Sequence, residues 1–85
     1  MTVTGPTELG RVVRFHRRQA KLTQAQLARL ASVGKTVIFD LEHGKPGIRL
    51  NTLLKVLAVL NISVNLTSPL MPGFEQEEAK NHAPS

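Results

Sequence analysis

Apolar residues recur at intervals of three and four through four successive segments between residues 8 and 60. This spacing places the apolar side chains on one side of a helix, so each segment predicts an amphipathic helix. The breaks at 32–34 and 44–47 contain glycine, with proline in the second, and both residues are typical of helix ends. The chain is therefore expected to fold as an all-α domain. The expected helices run over about 8–20, from the Thr23 cap to about 32, between the breaks at 32–34 and 44–47, and from 50–52 to about 60.

Local signals mark where two of these helices begin. Thr23 and Gln26 have the spacing of a capping box, in which each side chain bonds a free backbone N–H of the other residue. Thr7 is the expected N-cap of the first helix, because the breaker pair Gly5-Pro6 precedes it. Residues 1–6 are accordingly expected to be a flexible N-terminus and 7–68 the folded domain.

The charge distribution indicates the kind of partner. Residues 1–68 hold ten basic and three acidic residues, a net charge of +7, whereas 69–85 hold one and three, a net charge of −2. A domain this basic attracts polyanions, and nucleic acid is the leading candidate, although charge alone does not separate it from an acidic membrane surface. With 85 residues in all, the core is small, and a homodimer that buries more apolar surface is expected.

Several function classes find no support in the sequence. It contains no cysteine, no apolar run near the length of about 18 residues that a membrane span needs, and no signal peptide at the N-terminus, so we expect a cytoplasmic protein. It has no phosphate-binding glycine motif, and His16, His43 and His82 lack metal-ligand spacing. We therefore expect no enzyme activity, cofactor, metal, membrane partner or small-molecule substrate.

The pattern changes after Asn61. Ile62, Val64 and Leu66 alternate with polar residues, which predicts a short strand over 62–67. A single strand has no partner inside a helical chain, so we expect it to pair with the same strand of a second subunit. Residues 69–85 contain three prolines and little apolar surface, and they are expected to form a disordered tail.

The third helix has two different sides. At 100° per residue, one arc of about 140° collects Lys35, Thr36, Phe39, Asp40 and His43. The other side is apolar, with Ile38 and Leu41 as its anchors. A solvated helix face seldom carries a phenylalanine, so the arc is interpreted as a recognition surface. The alternative is that Phe39 packs against a partner helix or lies in the core.

The sequence resembles the helix-turn-helix domain of the Cro and repressor family over about residues 8–61. The resemblance is carried by 22–28 (LTQAQLA), Val33, Ile38, Leu41-Glu42, Gly44-Lys45 and Leu53-Leu54. More narrowly, 33–35 (VGK), 41–46 (LEHGKP), 49–57 (RLNTLLKVL) and the terminal strand resemble HipB-type antitoxins. These resemblances imply a lambda-repressor-like domain of four to five helices, dimerised through its C-terminal strands.

The family resemblance also implies roles for individual residues. The N-terminal part of a recognition helix enters the major groove, so Lys35 and Thr36 are expected to contact base edges, followed by Phe39 and Asp40. Arg17 and Glu42 match a family pair that forms an internal ion pair, and they are not assigned to DNA. The expected phosphate contacts are Gln24, Gly34, Lys45, Arg49, Arg14 and Arg18.

The resulting functional hypothesis is a sequence-specific repressor that binds palindromic or pseudo-palindromic double-stranded operator DNA. As a HipB-like antitoxin it would autoregulate its operon and neutralise a HipA-like kinase toxin. Two alternatives stay open: a stand-alone regulator of the same fold without a toxin, and a basic helical adaptor that binds a protein or RNA.

Overall fold

A computed structural model describes residues 1–81 and shows five helices with no strand in that part of the chain. The bounds are α1 Pro6–Gln19, α2 Gln24–Ala31, α3 Lys35–Glu42, α4 Leu50–Val59 and α5 Met71–Asn81. The prediction of an all-α helix-turn-helix domain with four to five helices is thus confirmed. None of the helices in the described part is long and apolar enough to cross a membrane.

Helix α1 begins earlier than predicted. Its N-cap is Gly5, and Pro6 occupies the first helical position, so the prediction that Thr7 caps this helix at the end of a loose segment 1–6 was wrong at this boundary. Proline is well suited to that position, because its fixed φ is helical and its missing N–H would have had no helical partner. The Thr4 hydroxyl donates to the Glu8 carboxylate and so links the preceding residues to the first turn.

Helix α2 begins as predicted. The Gln26 backbone N–H donates to Thr23 Oγ1 at 3.0 Å, and the Thr23 N–H donates to Gln26 Oε1 at 2.8 Å, which completes the capping box. The helix ends at Ser32, which has a left-handed backbone with φ of 56°. Only residues 32–34 separate α2 from α3, and this short turn fixes the angle between the two helices.

The hydrophobic core lies between α1, α2, α3 and α4. Each of these helices contributes one large side chain that is fully buried: Val13, Leu27, Ile38 and Val56. Ala28 and Ala31 are also buried, and their small side chains let α2 approach its neighbours closely. The rest of the core consists of Leu41, Leu57 and Leu60.

Helix α1 touches the backbone at the end of α3. A Cβ atom at Gly10 would collide with the carbonyl oxygen of Leu41 and lie 3.0 Å from that of Glu42. Gly44 makes a second close approach, since a Cβ there would lie 3.0 Å from Thr7 Cα, and its φ of +74° also favours glycine. Glycine at these two positions lets α1 lie directly against the C-terminal turn of α3.

The region after α4 differs from the prediction in one respect. Residues 71–81 were expected to be part of a disordered tail, but they form α5, none of whose residues is buried. Pro72 lies in the first turn, where proline is tolerated, and the following glutamates, glutamine, alanine and lysine have high helix propensity. The last part of the predicted tail, residues 82–85, lies outside the described residues.

The segment predicted as a strand, 62–67, has no regular structure in the single chain. Ile62 packs against the core, while Val64 and Leu66 are exposed. Since the strand was expected to pair with a second copy, a single chain cannot contain that ladder, and the intersubunit strand stays a prediction.

Candidate nucleic-acid interface

The two sides of α3 differ sharply in burial. Ile38 and Leu41 face the core and are 0% and 3% exposed, and Glu42 is also buried. On the opposite side Lys35 and Thr36 are exposed, and Phe39 exposes 49% of its surface. The structure therefore brings the predicted base-reading residues together on the outward side of α3.

An ion pair fixes the C-terminal end of α3 to α1. Arg17 Nε donates to Glu42 Oε2 at 2.6 Å, and Arg17 Nη2 donates to Glu42 Oε1 at 2.9 Å. The two side chains are only 12% and 1% exposed. This bidentate hydrogen bonding is the strongest arrangement that a carboxylate and a guanidinium form. It restrains the distance between α1 and α3 and their relative rotation.

The same pair has further partners. Arg17 Nη1 donates to the Leu22 carbonyl at 2.8 Å, at the entry to α2. Hydrogen bonding to Glu42 raises the pKa of Arg17, and the negative charge of Glu42 adds to this effect, whereas burial acts in the opposite direction. The folded structure therefore stabilises the charged form of Arg17.

Gln24, at the first position of α2, joins this network. Its Nε2 donates to Glu42 Oε1 at 3.3 Å, so α1 and α2 both hold the end of α3. One side-chain amide has two N–H donors and an acceptor oxygen, and the contact with Glu42 uses a single donor. Gln24 thus braces α3 and still has hydrogen-bonding capacity for a phosphate.

The N-terminus of α3 is open. Gly34 is its N-cap and provides no side-chain hydrogen bond. The first N–H groups of a helix lack helical partners, and together with the helix dipole they favour an anion. Lys35 and Thr36, next to this end, add a cation and a hydroxyl to the same surface.

Asp40 and Lys45 form an exposed contact beside this surface. Lys45 Nζ lies 3.4 Å from Asp40 Oδ2, and the side chains are 66% and 33% exposed respectively. A contact this long and this exposed adds little stability, so the lysine can move to another anion at low cost.

The remaining predicted phosphate-binding residues are exposed on α1 and at the start of α4. Arg14 and Arg18 lie on the exposed side of α1, and Arg49 is the N-cap of α4.

No cluster of three or more metal-ligating side chains occurs among residues 1–81.

Comparison with known proteins agrees with this architecture. The helix-turn-helix family profile matches residues 13–66, more than half of the chain. The chain belongs to the helix-turn-helix family. It is a DNA-binding transcriptional regulator.

The chain is also similar to individual proteins of this kind. The chain is 39% identical over 64 residues to "Uncharacterized HTH-type transcriptional regulator y4mF" of Sinorhizobium fredii (strain NBRC 101917 / NGR234), covering 75% of this chain and 84% of that protein. It is also similar to the solved structures "Structure of HipA-HipB-O2-O3 complex" and "HipB-O4 20mer complex". Each has a TM-score of 0.73 and 26% identity, and the match covers 81% of this chain and 97% of the other. The resemblance to HipB-type proteins is thereby confirmed.

One aromatic contact at α3 was not predicted from the sequence. The rings of Phe39 and His43 are stacked, with centroids 4.0 Å apart and planes inclined by 25°. His43 follows Phe39 by four residues, the spacing at which side chains on a helix touch, and that signal was available in the sequence. Phe39 does not lie in the core, since 49% of its surface is exposed, whereas packing against a helix of a partner is not tested in a single chain.

Proposed function

We propose that this helix-turn-helix protein is a homodimeric, sequence-specific repressor. Each copy would place its recognition helix in the major groove, with half-sites about one helical turn apart. The observation that supports this proposal is the division of α3: its inner side is fixed by Arg17 and Glu42, and its outer side presents Lys35, Thr36 and Phe39. A rigid helix with a polar and aromatic outer side has the properties that groove reading requires.

The base contacts follow from the chemistry of the outer side. Lys35 would donate to guanine O6 and N7, and Thr36 would bond a base edge or place its methyl group against thymine. Phe39 would make apolar contacts one turn further along the helix. Asp40 would accept from a cytosine amino group when it is released from Lys45.

The phosphate contacts would set the register of the protein on DNA. Gln24 is suited to this role because it combines a fixed position beside Glu42 with free hydrogen-bonding groups. The N–H groups at Gly34 and the side chain of Lys45 would also contact DNA phosphates. Arg49, Arg14 and Arg18 would add sequence-independent attraction.

The finer part of the proposal is that the protein is the antitoxin of a HipBA-like operon. It would repress its own operon and neutralise a HipA-like kinase toxin, by binding and without a catalytic step. Support comes from the similarity to HipB structures, one of which is a complex with HipA. A stand-alone regulator is the second candidate, favoured by the relative whose name mentions transcription regulation and no toxin.

Dimerisation would use residues 62–67 of both copies. Val64 and Leu66 expose 58% and 72% of their surfaces in the single chain, and a ladder between two copies would cover them. Val64→Pro removes one backbone donor from this ladder and is expected to weaken the dimer, whereas Val64→Ala keeps the donor and serves as the control. Sedimentation velocity at low protein concentration measures the effect, and equal dimer fractions for the two variants would count against the strand pairing.

The deciding experiment is a binding titration of the full chain against its own upstream DNA and a scrambled duplex of equal length. It should be run at about 50 and 200 mM salt, because phosphate contacts alone weaken steeply over this range. Preference for the upstream DNA that persists at the higher salt concentration is expected. Equal, salt-sensitive binding to both duplexes would favour the basic adaptor instead.

Co-purification with the product of a neighbouring kinase-like gene then tests the antitoxin proposal separately. A stable complex that lowers the kinase activity is the expected result. Selective operator binding without such a complex would leave the stand-alone regulator as the function.

A further inference from the structure

We propose that Phe39, held in place by His43, reads the C5-methyl group of a thymine in each half-site of the operator. This inference rests on the proposed function and specifies what one position of the recognition helix recognises. It assigns His43 a positioning role that the family comparisons do not supply.

The first step is the location of the phenyl ring. Phe39 lies one turn after Lys35 and Thr36 on the outward side of α3, with 49% of its surface exposed, while the core-facing side is filled by Ile38 and Leu41. When Lys35 and Thr36 reach base edges, a ring one turn further along the same helix side faces the next part of the groove.

The second step is that the ring is held in a defined orientation. The imidazole of His43 stacks on it at a centroid distance of 4.0 Å, and His43 Nδ1 lies 2.7 Å from the Phe39 carbonyl oxygen. Since a carbonyl oxygen can only accept a hydrogen bond, Nδ1 carries the hydrogen and donates it. This bond fixes the imidazole against one side of the phenyl ring, and 49% of the Phe39 surface stays exposed.

The third step is the chemistry of the groove. Base edges in the major groove present hydrogen-bond donors and acceptors, with one apolar group among them, the methyl group of thymine. A phenyl ring offers no strong hydrogen bond, so it gains most from that methyl group and would leave polar groups of other bases without partners. A ring oriented before binding also loses little conformational entropy when it makes this contact.

Uracil is the matched probe, because it lacks only the methyl group and keeps every hydrogen-bonding group of thymine. The preferred site is first selected with the full-length wild-type protein from a pool of random duplexes. Each thymine in one half-site is then replaced by uracil, and affinities are measured by fluorescence anisotropy. At one position, wild-type affinity should fall about fourfold, the effect of losing one buried methyl-sized group.

The variants attribute this loss to the two aromatic residues. Phe39→Ala should bind thymine and uracil duplexes equally, whereas Phe15→Ala, which removes an exposed phenylalanine from α1, should keep the full loss. His43→Phe retains a stacking ring but lacks the Nδ1 hydrogen bond, so it should reduce the loss in part, and His43→Ala should reduce it further. Thermal unfolding of both His43 variants is expected to match the wild type, which separates positioning from folding.

The outcomes distinguish this inference from the function on which it rests. If no preferred sequence emerges from the selection, the proposed repressor function itself fails. If a preferred site emerges but contains no uracil-sensitive position, or if the sensitivity persists in Phe39→Ala, the function stands and the reading role of Phe39 is overturned. An unchanged loss in His43→Ala would overturn the role of His43 alone.

Discussion

The inner and outer sides of α3 belong to the same eight residues, and they are built in opposite ways. On the inner side, Ile38 and Leu41 fill the core and Glu42 is paired with Arg17. On the outer side, Lys35, Thr36 and Phe39 are exposed. The difference indicates that one short helix serves two purposes, since its inner side determines stability and its outer side is available for recognition.

This comparison has a practical consequence. Substitutions on the inner side should lower the free energy of unfolding and affect DNA binding only because less protein is folded. Substitutions on the outer side should change DNA binding at constant stability. Measuring both quantities for each variant therefore shows whether the two sides are as independent as their burial suggests.

The largest effect is expected for Glu42→Ala. This change leaves the Arg17 guanidinium charged and nearly buried without its carboxylate, and breaking a buried ion pair in this way costs roughly 3–5 kcal/mol. Urea unfolding followed by circular dichroism measures the loss. At temperatures where the variant stays folded, its ranking of DNA sequences should match that of the wild type.

Asp40→Ala is the matched control for Glu42→Ala, since it removes a carboxylate from the exposed pair with Lys45 and should cost at most about 1 kcal/mol. Because the pKa of Arg17 is raised in the folded state, the arginine side of the buried pair contributes its full stabilisation below the ordinary pKa of an arginine side chain, as long as the paired carboxylate is ionised. That contribution is lost as the pH rises through the raised pKa. Equal destabilisation by the two substitutions would contradict the distinction between a buried and an exposed pair.

Gly10→Ala should have the next largest effect. Alanine favours a helix by up to about 1 kcal/mol over glycine, but here its Cβ collides with the Leu41 carbonyl oxygen and forces α1 away from α3. We expect a net destabilisation of about 1–3 kcal/mol, as for other overpacked sites. Gly73→Ala, in α5, has no atom within 4 Å of the added Cβ and should not lower the unfolding midpoint. A stabilised Gly10→Ala protein would show that α1 can shift without cost.

Lys35→Ala tests the outer side. Loss of a base contact should weaken operator binding by about 1–3 kcal/mol and relax the base preference at one position, while the unfolding curve stays unchanged. Lys80→Ala removes the same charge from α5 and is the control for electrostatic attraction. Equal weakening on specific and scrambled DNA would instead assign Lys35 to a phosphate.

The smallest effect is expected at Gly34, where the two sides of α3 begin. The backbone there, with φ of −74° and ψ of 150°, suits any residue, and an added Cβ has no atom within 4 Å. Gly34→Ser supplies the missing cap and should be more stable than Gly34→Ala by about 1 kcal/mol. Comparing these two variants cancels the effect that replacing glycine has on the unfolded chain. Equal melting temperatures of the two variants would mean that the serine hydroxyl does not cap the helix.

Much of this arrangement could be predicted from the sequence. The periodicity of apolar residues gave the existence of α1 to α4, and the Thr23 capping box gave the start of α2. The same periodicity separated Lys35, Thr36 and Phe39 from Ile38 and Leu41. These features depend on residues within one or two helical turns of each other, which is the range that a local pattern can describe.

Two predictions from local features were wrong. Pro6 starts α1, whereas the breaker pair Gly5-Pro6 predicts a later start. Residues 71–81 form α5, whereas the three prolines and low apolar content of 69–85 predict disorder. In both segments a proline in the first helical turn is compatible with helix, because that turn needs no N–H donor from it.

The sequence alone thus determined the helices, their amphipathic sides and, through its resemblance to known families, the helix-turn-helix class. Only the tertiary structure decided that Gln24 reaches Glu42, that Gly10 touches the end of α3, and that Asp40 lies beside Lys45. Most of these contacts join side chains or backbone atoms from different helices. Their existence depends on interhelical distances and rotations of a few ångströms and degrees, which are set by the packing of the whole core rather than by any local pattern.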